Sequence, residues 1–303
     1  MRLGPRKIGY PHLLAVGLLL ALLLGVGVGA STSAQPYGTF NPEWDGASGV
    51  RAVATDTGTE TTVAYSTTEY ADVDPGDSIA IVVSPETAYT DAEAARVASF
   101  VREGGTLVVA EDFRPHSNAL LDRIGASARV NATPLRDERH NYRAGALPVA
   151  TRTTTDPYTE GVDQLTLNYP GTVRPNGSAA LVRSSNFSYR DRNGNGELDG
   201  NETLRSYPVV TAEPVGAGTV VVLSDPSVFI NSMLDRPDNR AFATALLGPH
   251  ETVLLDYSHV EERPPLQVAL FALRDSPVLQ FLVGTTVLGA LAVVSRRADL
   301  DRE

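Results

Sequence analysis

The sequence predicts an α/β protein: a parallel sheet with flanking helices, a β-rich insertion, and a transmembrane helix on either side of the domain. Three observations predict this. Short, continuous apolar runs alternate with stretches of helical period, the mark of strands buried on both faces and joined by crossover helices. The middle of the chain changes to irregular β-type pieces. Both ends carry uncharged apolar stretches long enough to enter a bilayer.

The N-terminal stretch runs from Leu13 to Ala30 behind Arg2, Arg6 and Lys7. It reads as a signal anchor over 1–30, or as a signal peptide with a T-S-A cleavage site ending at Ala34. Residues 31–49 are small, polar and Pro/Gly-containing and read as a stalk. The domain then spans 50–264. VRAVAT (50–55) and TTVAYS (61–66) read as β-type runs, and SIAIVVS (78–84) as a buried strand. In the next segment Thr90 caps a helix with Glu93 as its capping-box partner, and Ala94, Val97, Ala98 and Val101 share a face. Gly104 and Gly105 end it before the strand TLVVAE (106–111) and a helix over 116–126.

Residues 130–212 are less regular, with β-like pieces at 164–169, 178–189 and 203–213. The α/β rhythm then resumes: a strand at 216–225, a helix from Pro226 to Leu234, a helix over 238–248 and a last strand at 252–260. Residues 265–276 suggest an amphipathic juxtamembrane helix and 277–295 a membrane span, followed by a cytoplasmic tail, 296–303. Basic residues at both chain ends predict cytoplasmic termini, a cell-membrane location and an extracytoplasmic domain.

The chain of 303 residues holds 36 Asp+Glu against 25 Lys+Arg, a formal charge of −11, and Lys7 is its only lysine. Such an acidic surface suits very salty water, where charge is screened. It excludes nucleic acid as a partner, because no basic patch offsets phosphate charge. The absence of cysteine removes disulfides, thiolate metal sites and Cys nucleophiles. Sequons at Asn131, Asn176, Asn186 and Asn201 permit glycans on an exported chain.

DRNGNGELDGNE (191–202) carries the spacing of a calcium loop. Asp191, Asn193 and Asn195 offer side-chain oxygens and Glu197 its carbonyl. Asp199 would act directly or through water, and Glu202 would be the bidentate twelfth ligand; Gly196 permits the sharp turn. Neither flank reads as a helix, so the expectation is a structural Ca²⁺ that staples two strands, with an affinity of roughly 10⁻⁴–10⁻³ M. At the strand ends, where α/β folds place ligands, the candidate cleft residues are Asp112, His116, Asp225, Ser227, Asn231, Asn239, Asp256 and His259, with Glu111 and Ser84 beside them. No G-x-S-x-G elbow, Walker loop or H-E-x-x-H occurs.

FVREGGTLVVAEDF (100–113), GAGTVVVLSDPSVFINSML (216–234), DNRAFATALL (238–247) and LLDYSHV (254–260) together resemble the DUF4350 family. The segment YGTFNPEWDGASGVRA and the acidic loop resemble its haloarchaeal branch. The resemblance implies a flavodoxin-like fold similar to class I glutamine amidotransferases. Glutaminase chemistry needs a Cys-His-Glu triad, which a chain without cysteine cannot supply. The resemblance further implies an accessory role beside membrane proteins or an ATPase complex. The expected function is a non-enzymatic, membrane-anchored binding module. A hydrolase using Asp256 and His259, or a purely structural subunit, are the alternatives.

Overall fold

Successive residues of each buried strand face opposite helical layers, and this alternation organises the domain. The computed structural model describes residues 33–260 and the isolated positions 18, 269, 278, 281 and 285. Ala34–Glu261 form one compact unit; the second unit, Met1–Ser33 with Glu262–Glu303, lies almost wholly outside the described residues.

Strands β1 (Glu60–Ala64), β2 (Ser78–Val83), β3 (Thr106–Ala110), β13 (Gly218–Leu223) and β14 (Thr252–Asp256) build the parallel part of an eight-stranded sheet. Their spatial order is β1-β14-β2-β3-β13, all parallel. This is the 2-1-3-4-5 order of a doubly wound sheet with its first strand moved to the end of the chain. The sheet continues antiparallel through β12 (Pro208–Val215), β10 (Ala179–Arg183) and β7 (Arg152–Thr153). Short two-stranded ribbons complete the insertion: β4 (Arg129–Asn131) with β9 (Thr172–Arg174), β5 (Leu135–Asp137) with β11 (Ser188–Arg190), and β6 (Val149–Ala150) with β8 (Leu165–Thr166).

One face packs Ile79, Ile81, Val108, Val221, Val253 and Leu255 against helices α1 (Ser48–Thr57) and α5 (Asn239–Leu247). The other packs Ala80, Val82, Leu107, Val109 and Leu254 against α2 (Asp91–Arg102) and α3 (His116–Ile124). The capping box at Thr90 and Glu93 is present. Pro226–Phe229 form a 3-10 turn, and α4 is the single turn Asn231–Leu234. Between them Ile230 is extended, at φ −76 and ψ 154, so the helix expected over 226–234 is broken in two.

Three expectations need correction. The 50–55 segment is helical within α1, because Val50, Val53 and Ala54 fall at helical spacing and bury together. The stretch read as a stalk is packed into the domain from residue 34, with Asn41 fully buried and the Asn231 side chain bonded to its backbone. Finally, among the described residues no helix is long and apolar enough to cross a membrane. The fold is a mixed α/β domain with an eight-stranded, mostly parallel sheet, and its described residues supply no helix of the kind expected on either side of it. The segments 1–30, 265–276, 277–295 and 296–303 on which those readings fell lie, isolated positions apart, outside the described residues.

Candidate functional site

In a 2-1-3-4-5 sheet the connections diverge between the strands in the 1 and 3 positions, which opens a crevice beyond their carboxyl ends. Those strands here are β14 and β2. A cavity of about 120 Å³ lies at that place, lined by Ile81, Val83 and Ser84 from the end of β2, by Leu255, Asp256 and Tyr257 from the end of β14, and by Val50 of α1. The 35–47 segment covers it with Tyr37 and Thr39. Ser84 takes φ +41, a left-handed backbone rare for a residue with a side chain, where β2 turns into its loop.

The charged groups around the cavity are already engaged. Asp256 Oδ2 accepts from Tyr70 Oη at 2.7 Å and from Tyr89 Oη at 3.0 Å. Its Oδ1 accepts from Ser258 N at 2.8 Å and Ser258 Oγ at 2.6 Å. Burial, and then the carboxylate they contact, push both tyrosine hydroxyls well above their ordinary range. Arg114 meets Glu86 at 3.3 Å, and Gln35 Nε2 donates to Glu86 Oε1 at 2.7 Å.

No hydrogen bond or ion pair joins Asp256 to His259. His259 Nδ1 lies 2.7 Å from Ser258 Oγ, its Nε2 lies 3.5 Å from Glu93 Oε2, and its ring stacks on Tyr89 at 3.6 Å. The series Ser258, His259, Glu93 joins a hydroxyl, an imidazole and a carboxylate. The Ser258 proton is directed to Asp256, however, and the imidazole is only 7% exposed. The arrangement braces the end of β14; it does not leave a base facing open space.

A second group sits past β3 and β13. Glu111 Oε1 accepts from the N–H groups of Asp112 at 2.8 Å and Arg114 at 3.0 Å, and its Oε2 accepts from Ser117 Oγ at 3.2 Å. Asp225 accepts from Ser227 N at 2.8 Å and Asn168 N at 2.6 Å. Burial raises both carboxyls, Asp225 to about 7, and it raises the half-buried Asp112 as well. Burial also raises the Tyr37 hydroxyl to about 12, against the lowering effect of its bond to Ser227. Asn239 pairs both its amide atoms with the backbone of Thr166 at 2.9 Å, and Asn231 ties down residues 41–49, so these two act as fasteners. His116 opens α3, half-buried, and makes no hydrogen bond to the other candidates.

The 191–202 loop joins β11 to β12 with no helix on either side. Asp191 accepts from Gly194 N and Gly196 N at 2.7 and 2.8 Å, and Gly194 and Gly196 hold φ +73 and +79. Asn193 and Asn195 donate to Asp199 Oδ2 at 2.7 and 3.0 Å. Glu202 reaches back to the N–H groups of Arg192 and Asp199. The donors are all oxygens, as a hard cation requires, and the Glu197 carbonyl adds to them. Among the described residues, though, no three His, Asp or Glu side chains stand together as a metal-ligand group. Ion binding here requires Asp199 to exchange its amide partners for the ion.

Sequence reasoning missed Tyr37, Thr39, Tyr70, Tyr89, Arg114 and Ser258. Tyr37 and Thr39 lay in the presumed stalk. Tyr70 and Tyr89 reach Asp256 from 186 and 167 positions away, with no local pattern to mark them.

A family model described as "Domain of unknown function (DUF4350)" matches residues 39–247. The chain belongs to the DUF4350 family. No curated protein matches it. Among solved structures, this DUF4350 protein is similar to the mmIFT52 N-terminal domain at 14% identity, covering 59% of this chain and 77% of that one, with a TM-score of 0.45. It is also similar to a β-galactosidase of the Antarctic haloarchaeon Halorubrum lacusprofundi, at 17% identity, 56% and 21% coverage and a TM-score of 0.35. A third is the cytoplasmic protein STM1381 of Salmonella typhimurium LT2, at 13% identity, 67% and 86% coverage and a TM-score of 0.39. The chain thus spans about a fifth of the β-galactosidase, and likenesses this distant assign no activity.

Proposed function

We propose that this DUF4350 protein is a non-enzymatic binding module of the haloarchaeal, amidotransferase-like branch of its family. It holds a ligand or a partner's side chain in the crevice between β14 and β2. The observation that carries this reading is the open cavity at the sheet's switch point, with the nearby Asp256, His259 and Glu86 committed to internal bonds. A purely structural subunit has no need of a cavity there, and a hydrolase needs a free base. The rearranged doubly wound strand order supports the amidotransferase-like part, and the acidic, nearly lysine-free composition supports the haloarchaeal part.

The same proposal includes a structural calcium ion in the 191–202 loop, locking the ribbon strand β11 to the sheet strand β12. A loop of this weak class fills only where calcium is near millimolar, which supports a place outside the cytoplasm.

The test compares native full-length protein with two variants, Val260→Trp, which plugs the half-buried cavity mouth, and His259→Ala. Binding predicts that whatever co-purifies is lost from the first and kept by the second. Retention by the plugged variant contradicts the reading.

A further inference from the structure

We infer that the switch-point cavity takes a small, uncharged, mainly apolar molecule of about six heavy atoms bearing one hydroxyl or carbonyl group. This rests on the binding-module reading and names the ligand class of that same site.

The inference starts from the lining. Pro36, Ala47, Val50, Ile81, Val83, Leu255 and Tyr257 give the cavity apolar walls. At about 120 Å³ it is slightly smaller than an engineered 150 Å³ apolar cavity known to take benzene. The charges that border it are each matched. Glu86 has Arg114 and Gln35, and Asp256 has four donors. A charged ligand entering here would lose its hydration without gaining a partner, which is strongly unfavourable.

A polar atom of the covering segment is placed differently. Thr39 Oγ1 lines the cavity, its residue is 4% exposed, and among the described residues it has no hydrogen-bond partner. A buried hydroxyl left unpaired is costly, so native structures satisfy nearly all of them. Thr39 belongs to the segment that Asn231 fastens over the crevice, so this hydroxyl is held in position. A ligand hydroxyl or carbonyl meeting Thr39, with its hydrocarbon body against Ile81, Val83 and Leu255, satisfies both features at once. Ser84, at φ +41, turns the chain away from the strand direction where the cavity opens.

The experiment titrates the full-length protein with cyclopentanol, cyclopentane, cyclopentylammonium and cyclopentanecarboxylate, following side-chain methyl signals by NMR. Cyclopentanol should shift the methyls of Val50, Ile81, Val83 and Leu255 and bind about fivefold more tightly than cyclopentane, the worth of one net hydrogen bond. The two ions should leave those signals unmoved. Thr39→Val, of nearly equal shape, should erase the preference for the alcohol while keeping hydrocarbon binding. Thr39→Ser should keep the preference.

Failure of both neutral probes to bind, or equal binding by the ions, overturns the inference. If the probes fail while Val260→Trp still strips a co-purifying partner, the ligand class is wrong and the binding reading stands. If the plugged variant also changes nothing, both fall.

Discussion

Tyr70 Oη donates to Asp256 Oδ2 at 2.7 Å, joining a 3-10 turn after β1 to the last residue of β14 across 186 positions. With Tyr89 and Ser258 supplying three more bonds, the carboxylate is a structural hub at the floor of the crevice. Asp256→Ala should therefore lower stability by about 3 kcal/mol, since it leaves two buried hydroxyls unpaired. His259→Ala, which removes one stacked ring, the 2.7 Å hydrogen bond to Ser258 Oγ and a long contact to Glu93, should cost less, about 2 kcal/mol. Urea denaturation of the two variants checks the order; equal losses would contradict it.

Asn231 holds the N-terminal segment. Its side chain accepts from Gly49 N at 2.7 Å and donates to the carbonyls of Glu43 at 2.6 Å and Asn41 at 3.2 Å. Asn231→Ala should destabilise by about 2 kcal/mol and speed amide exchange across residues 37–49. Unchanged exchange there would mean the segment is held by other contacts.

The pH dependence follows from Asp225 and Glu111. Both carboxyls are raised by burial, Asp225 to about 7, so the folded state binds protons that the unfolded chain, with carboxyls near pH 4, releases. Their contribution is fully present at low pH and is lost as pH rises through about 7. The melting temperature should fall between pH 5 and pH 8 from this source. Glu111→Gln keeps an acceptor for the two backbone N–H groups and places an amide donor toward Ser117, as a protonated carboxyl would. It should flatten part of that slope. A slope unchanged by the variant would assign it elsewhere.

Calcium at 100 times its dissociation constant should stabilise the full-length protein by about 2.7 kcal/mol, read as a chelator-sensitive melting temperature. Glu202→Gln and Asp199→Asn should each remove most of that gain. An unaltered melt, at a salt strength that does not itself hold the domain folded, would leave 191–202 an ordinary turn.

The parallel half of the sheet was legible because β2, β3, β13 and β14 carry continuous apolar runs and β1 is rich in β-branched residues, and α2 was legible because Thr90 and Glu93 mark its start. The insertion was legible only in part: the pieces at 178–189 and 203–213 hold β10 and most of β12, but the small ribbons could not be read. Its ribbons are two or three residues long, too short for any period to register, and their partners are remote, as with Ser188 opposite Asp137. Helix α1 was misread because Gly49, two Val and two Thr, weak helix formers in isolation, make up half of its 10 residues; burial of Val50, Val53 and Ala54 overrides that preference. The candidate residues end or follow β3, β13 and β14, or lie in the helices beyond them, because strand-end position follows from strand assignment alone. The roles were not legible. Nothing in the order of residues says that Asn231 and Asn239 fasten loops, that Ser258 stands between Asp256 and His259, or that Thr39 lines a cavity.

The most direct test of the central claim, that the β14–β2 crevice holds something and transforms nothing, is methyl NMR of the full-length protein with an extract of its native source. The account predicts shifts confined to Val50, Val83, Leu255 and Val260, absent in the Val260→Trp variant and with no chemical change in the bound component. Turnover of any extract component that His259→Ala abolishes would contradict it.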